Sequence, residues 1–204
     1  MIHGRKFDIR CWVLLTAPYD VYLFDQASLR TASEPYDPNC LGANLSHLTN
    51  HCLQIQHPDF GKWEAGNEMW WWQLQQYFDS AGRGCSLEQD IYPQIRRHVR
   101  DSLLSVQDHL ALSPDYRAFQ LFGFDFMIDD SFKVWLLEIN GSPAAAEVLY
   151  DSIVEGMVRI CLDPVYPPGP DLPPEPLPEV AGLGMPQFHR IHPVAEGEGG
   201  SNTS

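Results

Sequence analysis

Between Phe122 and Pro143 the chain reads FGFDFMIDDSFKVWLLEINGSP, two apolar runs separated by a short polar turn. Alternation and length predict a β-hairpin. Asp125, Glu138 and Asn140 nevertheless fall inside the runs, where an unpaired carboxylate would be costly to bury. In an antiparallel pair, directly opposite residues share a side of the sheet. With an even loop, Asp125, Leu136, Glu138 and Asn140 share one face. Phe122, Phe124, Phe126, Trp135, Leu137 and Ile139 share the other. An odd loop without a bulge would mix the two sets, so the clean sorting predicts an even one. Two carboxylates and a carboxamide then converge on one side of a rigid sheet. Oxygen donors of this kind suit a hard cation such as Mg²⁺, which characteristically takes a few protein groups and phosphate oxygens. Asp129 and Asp130, in the turn, read as ordinary solvent-facing acids.

The remaining text predicts hairpins interspersed with helices, hence an α+β fold rather than a doubly wound parallel sheet. KFDIRCWVLL (6–15) has strand period, with Lys6, Asp8 and Arg10 pointing one way, and VYLFD (21–25) follows after Pro18 and Asp20. GNEMWWWQLQQYF (66–78) reads as a helix with Asn67 as N-cap, burying two of its three tryptophans. A second helix is expected over 93–107, with Pro93 in its first turn. Ser142-Pro143 reads as a helix start, the helix running to about Leu162 and turning its positive end toward Asn140. From Tyr166 onward proline, glycine and acids replace the apolar periodicity, so a folded part to residue 166 and a disordered tail over 167–204 are expected.

Composition excludes several classes. The net charge is −14, from 13 basic and 27 acidic residues, which argues against nucleic acid as a partner. The same field would repel an acidic protein unless positive charge were gathered locally, and this draws attention to Lys6, Arg10 and Arg30. No apolar run is long enough to span a bilayer and no signal-peptide pattern follows Met1, so no membrane role is expected. Five scattered cysteines without a CxxC pair fit neither a disulfide framework nor a zinc site, and a reduced, cytoplasmic setting is expected. His47 and His51 have the spacing of a helical zinc pair but no third ligand, and read as structural. Cys11 has no visible partner base and is assigned no nucleophilic role.

HGRKFDIR, LRTASEPY, HLTNHC, FGKWEAGNEM, QLFGFDFMIDD and KVWLLEINGSPA, in that order and spacing, resemble the tubulin–tyrosine ligase family over roughly Gly4 to Pro168. Within it, LRTASEPY and QLFGFDFM look most like enzymes that add tyrosine. The resemblance implies an ATP-grasp fold and ATP-dependent amide formation: detyrosinated α-tubulin is phosphorylated at its terminal carboxylate, and the amine of free L-tyrosine attacks the acyl phosphate. It further implies Asp125, Glu138 and Asn140 as Mg²⁺ ligands and Lys6, Asp8, Thr49 and Asn50 as nucleotide contacts. Arg10, Arg30 and Glu138 would serve the transferring phosphoryl group and the acceptor carboxylate, with the enzyme working in the cytoplasm on the microtubule cytoskeleton. Two alternatives stay open, a glutamylase or glycylase and a noncatalytic tubulin-binding fragment. The family carries an N-terminal domain and further ATP-grasp strands ahead of the segment matching Lys6. A truncated chain lacking one wall of the nucleotide site, with uncovered apolar sheet surface, is therefore expected.

Overall fold

The computed structural model describes residues 1–40, 42, 44–110, 117–169 and 176–192. Its centre is an antiparallel sheet. β1 (Arg5–Thr16) turns through Ala17–Tyr19 into the long β2 (Asp20–Pro35), and β2 pairs with the short β3 (Glu68–Trp70). On its other side β1 pairs with β4 (Phe119–Ile128), which pairs with β5 (Val134–Asn140), giving the order β3-β2-β1-β4-β5. The α+β, mostly antiparallel class predicted from the sequence holds.

Between β2 and β3 lie two one-turn helices, α1 (Asn44–His47) and α2 (His51–Gln54). α3 (Trp71–Ser80) follows β3 directly, and a π-turn at Leu87–Ile91 leads into α4 (Tyr92–Leu104) and the short α5 (Gln107–Leu110). After β5, a 3₁₀ turn at Glu147–Leu149 opens α6 (Tyr150–Met157). None of the described helices is long and apolar enough to cross a membrane.

Strand alternation divides the side chains between two faces. Phe7, Ile9, Val13, Leu23, Leu29, Phe124 and Phe126 form the larger core with Leu74 and Phe78 of α3 and Ile95, Val99 and Leu103 of α4. At one end of the opposite face, Trp12, Leu14 and Phe24 pack against Leu149 and Ile153. The other end of that face carries Asp8, Arg10, Arg30 and Asp125.

Several local expectations change. Glu68–Trp70 is a strand, so α3 starts later than residue 66, with Trp70 at its N-cap. Asn67 adopts a positive φ of 55°, donates its amide N–H groups to the Thr31 carbonyl and the Ser33 hydroxyl, and accepts from the Gly61 amide through Oδ1, so its oxygen is turned away from the helix. No helix begins at Ser142; 141–146 is irregular, and tertiary contacts of that segment replace the local capping signal. His47 and His51 lie on separate helices, so the zinc spacing is not realised.

Within the stretch read as tail, Phe188–His192 forms β6 and pairs with β2. The Asp25 amide donates to the Gln187 carbonyl, and the Gln187 amide donates to the Asp25 carboxylate. Phe188 packs 5.0 Å from Phe24, and Ile191 joins the larger core. Two apolar residues on a short strand suffice here because β2 offers an unpaired edge. Residues 193–204 lie outside the described residues.

Candidate functional site

The β4–β5 hairpin has an odd loop. Asp129 N–H donates to Lys133 O, and Phe132, at φ 64°, occupies the left-handed position of a three-residue turn. A bulge at Leu137 then restores the pairing that an even, four-residue loop would give: Asp125 lies opposite Glu138, and Gly123 opposite Asn140. The even-loop expectation is corrected, while the convergence of oxygens that motivated it stands. The bulge also exchanges two neighbours. Leu136 packs on the core and Leu137 lines the site, the reverse of simple alternation.

The neighbouring strands add charge in register. Asp8 lies opposite Arg30, Arg10 opposite Asp125, and Arg30 opposite Glu68. Arg10 grips both oxygens of Asp125, through Nε and, at 2.8 Å, through Nη2. Arg30 spans two carboxylates, donating to Asp8 at 2.8 and 2.6 Å and to Asp125 at 2.8 Å. The planar fork of arginine makes such bidentate contacts possible. Asp125 is only 2% exposed. Burial alone would raise its carboxyl, but hydrogen bonds and charge from Arg10 and Arg30 outweigh that and hold it below the usual range. For Arg30, burial is likewise overcome by Asp8 and Asp125, which push its pKa up. Glu68, absent from the sequence reading, is pushed up by burial despite opposing contributions from His51, Ser28 and Arg30.

Above this belt lies the segment joining α1 to α2. Gln54, fully buried, accepts from the Ser33 amide and donates to the carbonyls of Leu45 and Leu48, tying the segment to β2. Thr49 then donates to Asp8 at 2.8 Å, and Lys6 Nζ reaches the His47 carbonyl. Below β2, Arg5 forms a buried fork with Glu64, which also accepts from Thr31, fixing the loop that ends at Asn67.

Lys6, Asp8, Arg30, Thr49, Asn50, Asp125 and Glu138 line one cavity of about 180 Å³, together with Leu48 and Leu137. Arg10 joins it through Asp125, and Asn140 through Glu138, to which its amide donates at 3.0 Å; Asp125 lies 3.5 Å from the same nitrogen. All nine sequence-predicted site residues are thus gathered at one place. Leu48, Leu137, Gln54 and Glu68 were not foreseen. Gln54 ties its own segment to Ser33, and Glu68 accepts from Ser28 at 3.4 Å, contacts that no local pattern marks.

Among the described residues no group of three or more His, Cys, Asp or Glu side chains is gathered to hold a metal ion. Asp125, Glu138 and Asn140 are oxygen-bearing groups of the kind that suits a hard cation such as Mg²⁺ and not a soft metal. Here Asp125 has both oxygens on Arg10 and Arg30, and Asn140 turns its amide nitrogen toward Glu138. Cys11 is buried in the core, and burial pushes its thiol up, away from the reactive thiolate.

The chain is 32% identical over 174 residues to tubulin glycylase 3D of Tetrahymena thermophila, a match covering 80% of this chain and 17% of the relative. It is 30% identical over 175 residues to tubulin monoglycylase TTLL3 of Danio rerio, covering 80% and 22%. With tubulin polyglutamylase ttll-5 of Caenorhabditis elegans it shares 30% identity over 173 residues, covering 76% and 23%. The chain therefore spans less than a quarter of each of these relatives. Residues 1–173 match the tubulin-tyrosine ligase family, and the chain belongs to that family.

Proposed function

We propose that this site is the phosphoryl-transfer centre of an ATP-dependent carboxylate–amine ligase acting on tubulin. The observation that carries the reading is the single cavity lined by Lys6, Asp8, Arg30, Thr49, Asn50, Asp125 and Glu138 on a rigid sheet. In the reaction a substrate carboxylate oxygen attacks the γ-phosphorus of ATP, releasing ADP and leaving an acyl phosphate. The amine of an amino acid then attacks the acyl carbon; the C–N bond forms, phosphate leaves, and the amine gives up a proton. Such chemistry is mostly positioning and charge neutralisation. Arg10 and Arg30 supply fixed positive charge in a net acidic molecule, and Lys6, Thr49 and Asn50 are the nucleotide contacts. Asp125, Glu138 and Asn140 would hold Mg²⁺, which when bound neutralises charge on the phosphate oxygens. Asp8 orients Arg30 and Thr49 through its two oxygens.

The names of the relatives support glycine or glutamate as the amino acid added. Tyrosine, added to the terminal glutamate of detyrosinated α-tubulin, is the second reading, favoured by LRTASEPY and QLFGFDFM. A substrate of this kind places the protein on the cytoplasmic microtubule cytoskeleton.

The test incubates the chain with MgATP, detyrosinated tubulin dimer and glycine, glutamate or tyrosine, then weighs the tubulin C-terminal peptides. The expected result is an ATP-dependent increment from one amino acid, lost in Asp125→Asn and Glu138→Gln. The mass itself identifies the amino acid. No increment with any of the three, while tubulin is still retained on the immobilised chain, would replace this reading with a noncatalytic tubulin-binding role.

A further inference from the structure

Gly123 is buried in β4, two residues before Asp125 and on the same side of the sheet. Its backbone is not left-handed, so conformational freedom does not explain it. Space does. A Cβ at this position would lie 2.6 Å from Pro143 Cβ, 3.1 Å from Arg10 Cδ and 3.2 Å from Arg10 Nε. Contacting carbons settle at about 3.5–4.0 Å, so a side chain here would displace its neighbours by about 1 Å.

Pro143 belongs to the irregular strap 141–146, which leaves β5 after Asn140 and crosses back over β4 and β1. The Gly141 carbonyl accepts from Gln120 Nε2 at 2.6 Å. The Ala144 carbonyl accepts from Trp12 Nε1 at 3.2 Å and from Arg10 Nη1 at 3.5 Å. Arg10 is therefore held from three sides: Asp125 by two nitrogens, the strap by the third, and the bare backbone of Gly123 beneath its stem.

We infer that Gly123 is a positioning residue, the seat on which Pro143 and the Arg10 side chain pack, so that the strap holds the Arg10 guanidinium on Asp125. The catalytic consequence rests on the phosphoryl-transfer reading above; the geometric content does not.

The test follows the Arg10 side-chain Nε–H signal in ¹⁵N-labelled protein, assigned by its loss in Arg10→Lys, together with ligation kinetics. Gly123→Ala is expected to move that signal and lower kcat about 100-fold, the scale of a ~1 Å misplacement, with a smaller change in KM for ATP. Adding Pro143→Gly, which removes the nearest of the three atoms that a Cβ at 123 would meet, is expected to bring both part of the way back. An unmoved Arg10 signal in Gly123→Ala, or a displaced signal that the double variant does not bring back at all, overturns the inference. A moved and rescued signal in a chain with no ligase activity sustains the seat and removes the function. Should Gly123→Ala fail to fold, Trp12→Phe decides, since it keeps the buried ring and deletes the donor to Ala144. A displaced Arg10 signal then supports the strap, and an unmoved one overturns it.

Discussion

Asp125 stays ionised in a buried place because two guanidinium groups face it. Its folded pKa lies below the ordinary 3.8, so its contribution to stability is complete above that value. The contribution is lost as pH falls through the lower folded value. Replacing Arg10 by Met is expected to destabilise the fold by about 3 kcal/mol at neutral pH, because it strips a partner from a buried carboxylate. Denaturant titrations should show that deficit shrinking as pH is lowered below the ordinary Asp value. Glu138 makes the opposite case. It is exposed, and its hydrogen bond is to Asn140. Glu138→Gln should therefore shift stability by no more than about 0.5 kcal/mol while abolishing Mg²⁺-dependent turnover. At this scale the metal-ligand candidates were legible because acids interrupting apolar strands demand a reason. Gln54 and Gly123 were not, because their meaning lies in tertiary contacts, with Ser33 for the one and with Pro143 and Arg10 for the other.

For the elements, short-range periodicity carried what it could. β1, β4, β5 and α4 lie close to where the pattern puts them; α4 buries one regular face through Ile95, Val99 and Leu103. β2 runs to Pro35, well past the apolar VYLFD, because Ser28, Thr31 and Ser33 are satisfied by Glu68, Glu64 and Asn67. The helix signal at Ser142-Pro143 fails for a related reason. Trp12 and Arg10 claim the Ala144 carbonyl, and Gly123 receives the proline. β6 is hidden by proline-rich surroundings, yet its Phe188 is 9% exposed and sits on Phe24 and Gly156. Phe188→Ala should cost about 3 kcal/mol, visible as a lower thermal midpoint. An unchanged midpoint would mean that β6 contributes nothing to the sheet.

In the molecule as a whole, one sheet separates two jobs. The face against α3 and α4 is apolar and builds the core; the opposite face is split between the α6 cluster and the charged site. β5 ends the sheet order with Trp135, Leu137 and Ile139 each more than 40% exposed, an apolar edge beside the cavity. Such an edge should bind a hydrophobic dye, and Ile139→Lys should reduce the fluorescence without lowering the melting temperature. The central claim concerns chemistry, and one measurement reaches it directly. Tubulin tail peptide carrying ¹⁸O in its acceptor carboxylate is incubated with the chain, MgATP and the amino acid that the mass assay identifies. An acyl phosphate intermediate predicts one ¹⁸O in the inorganic phosphate released for each amide formed. Amide formation with unlabelled phosphate would contradict the account.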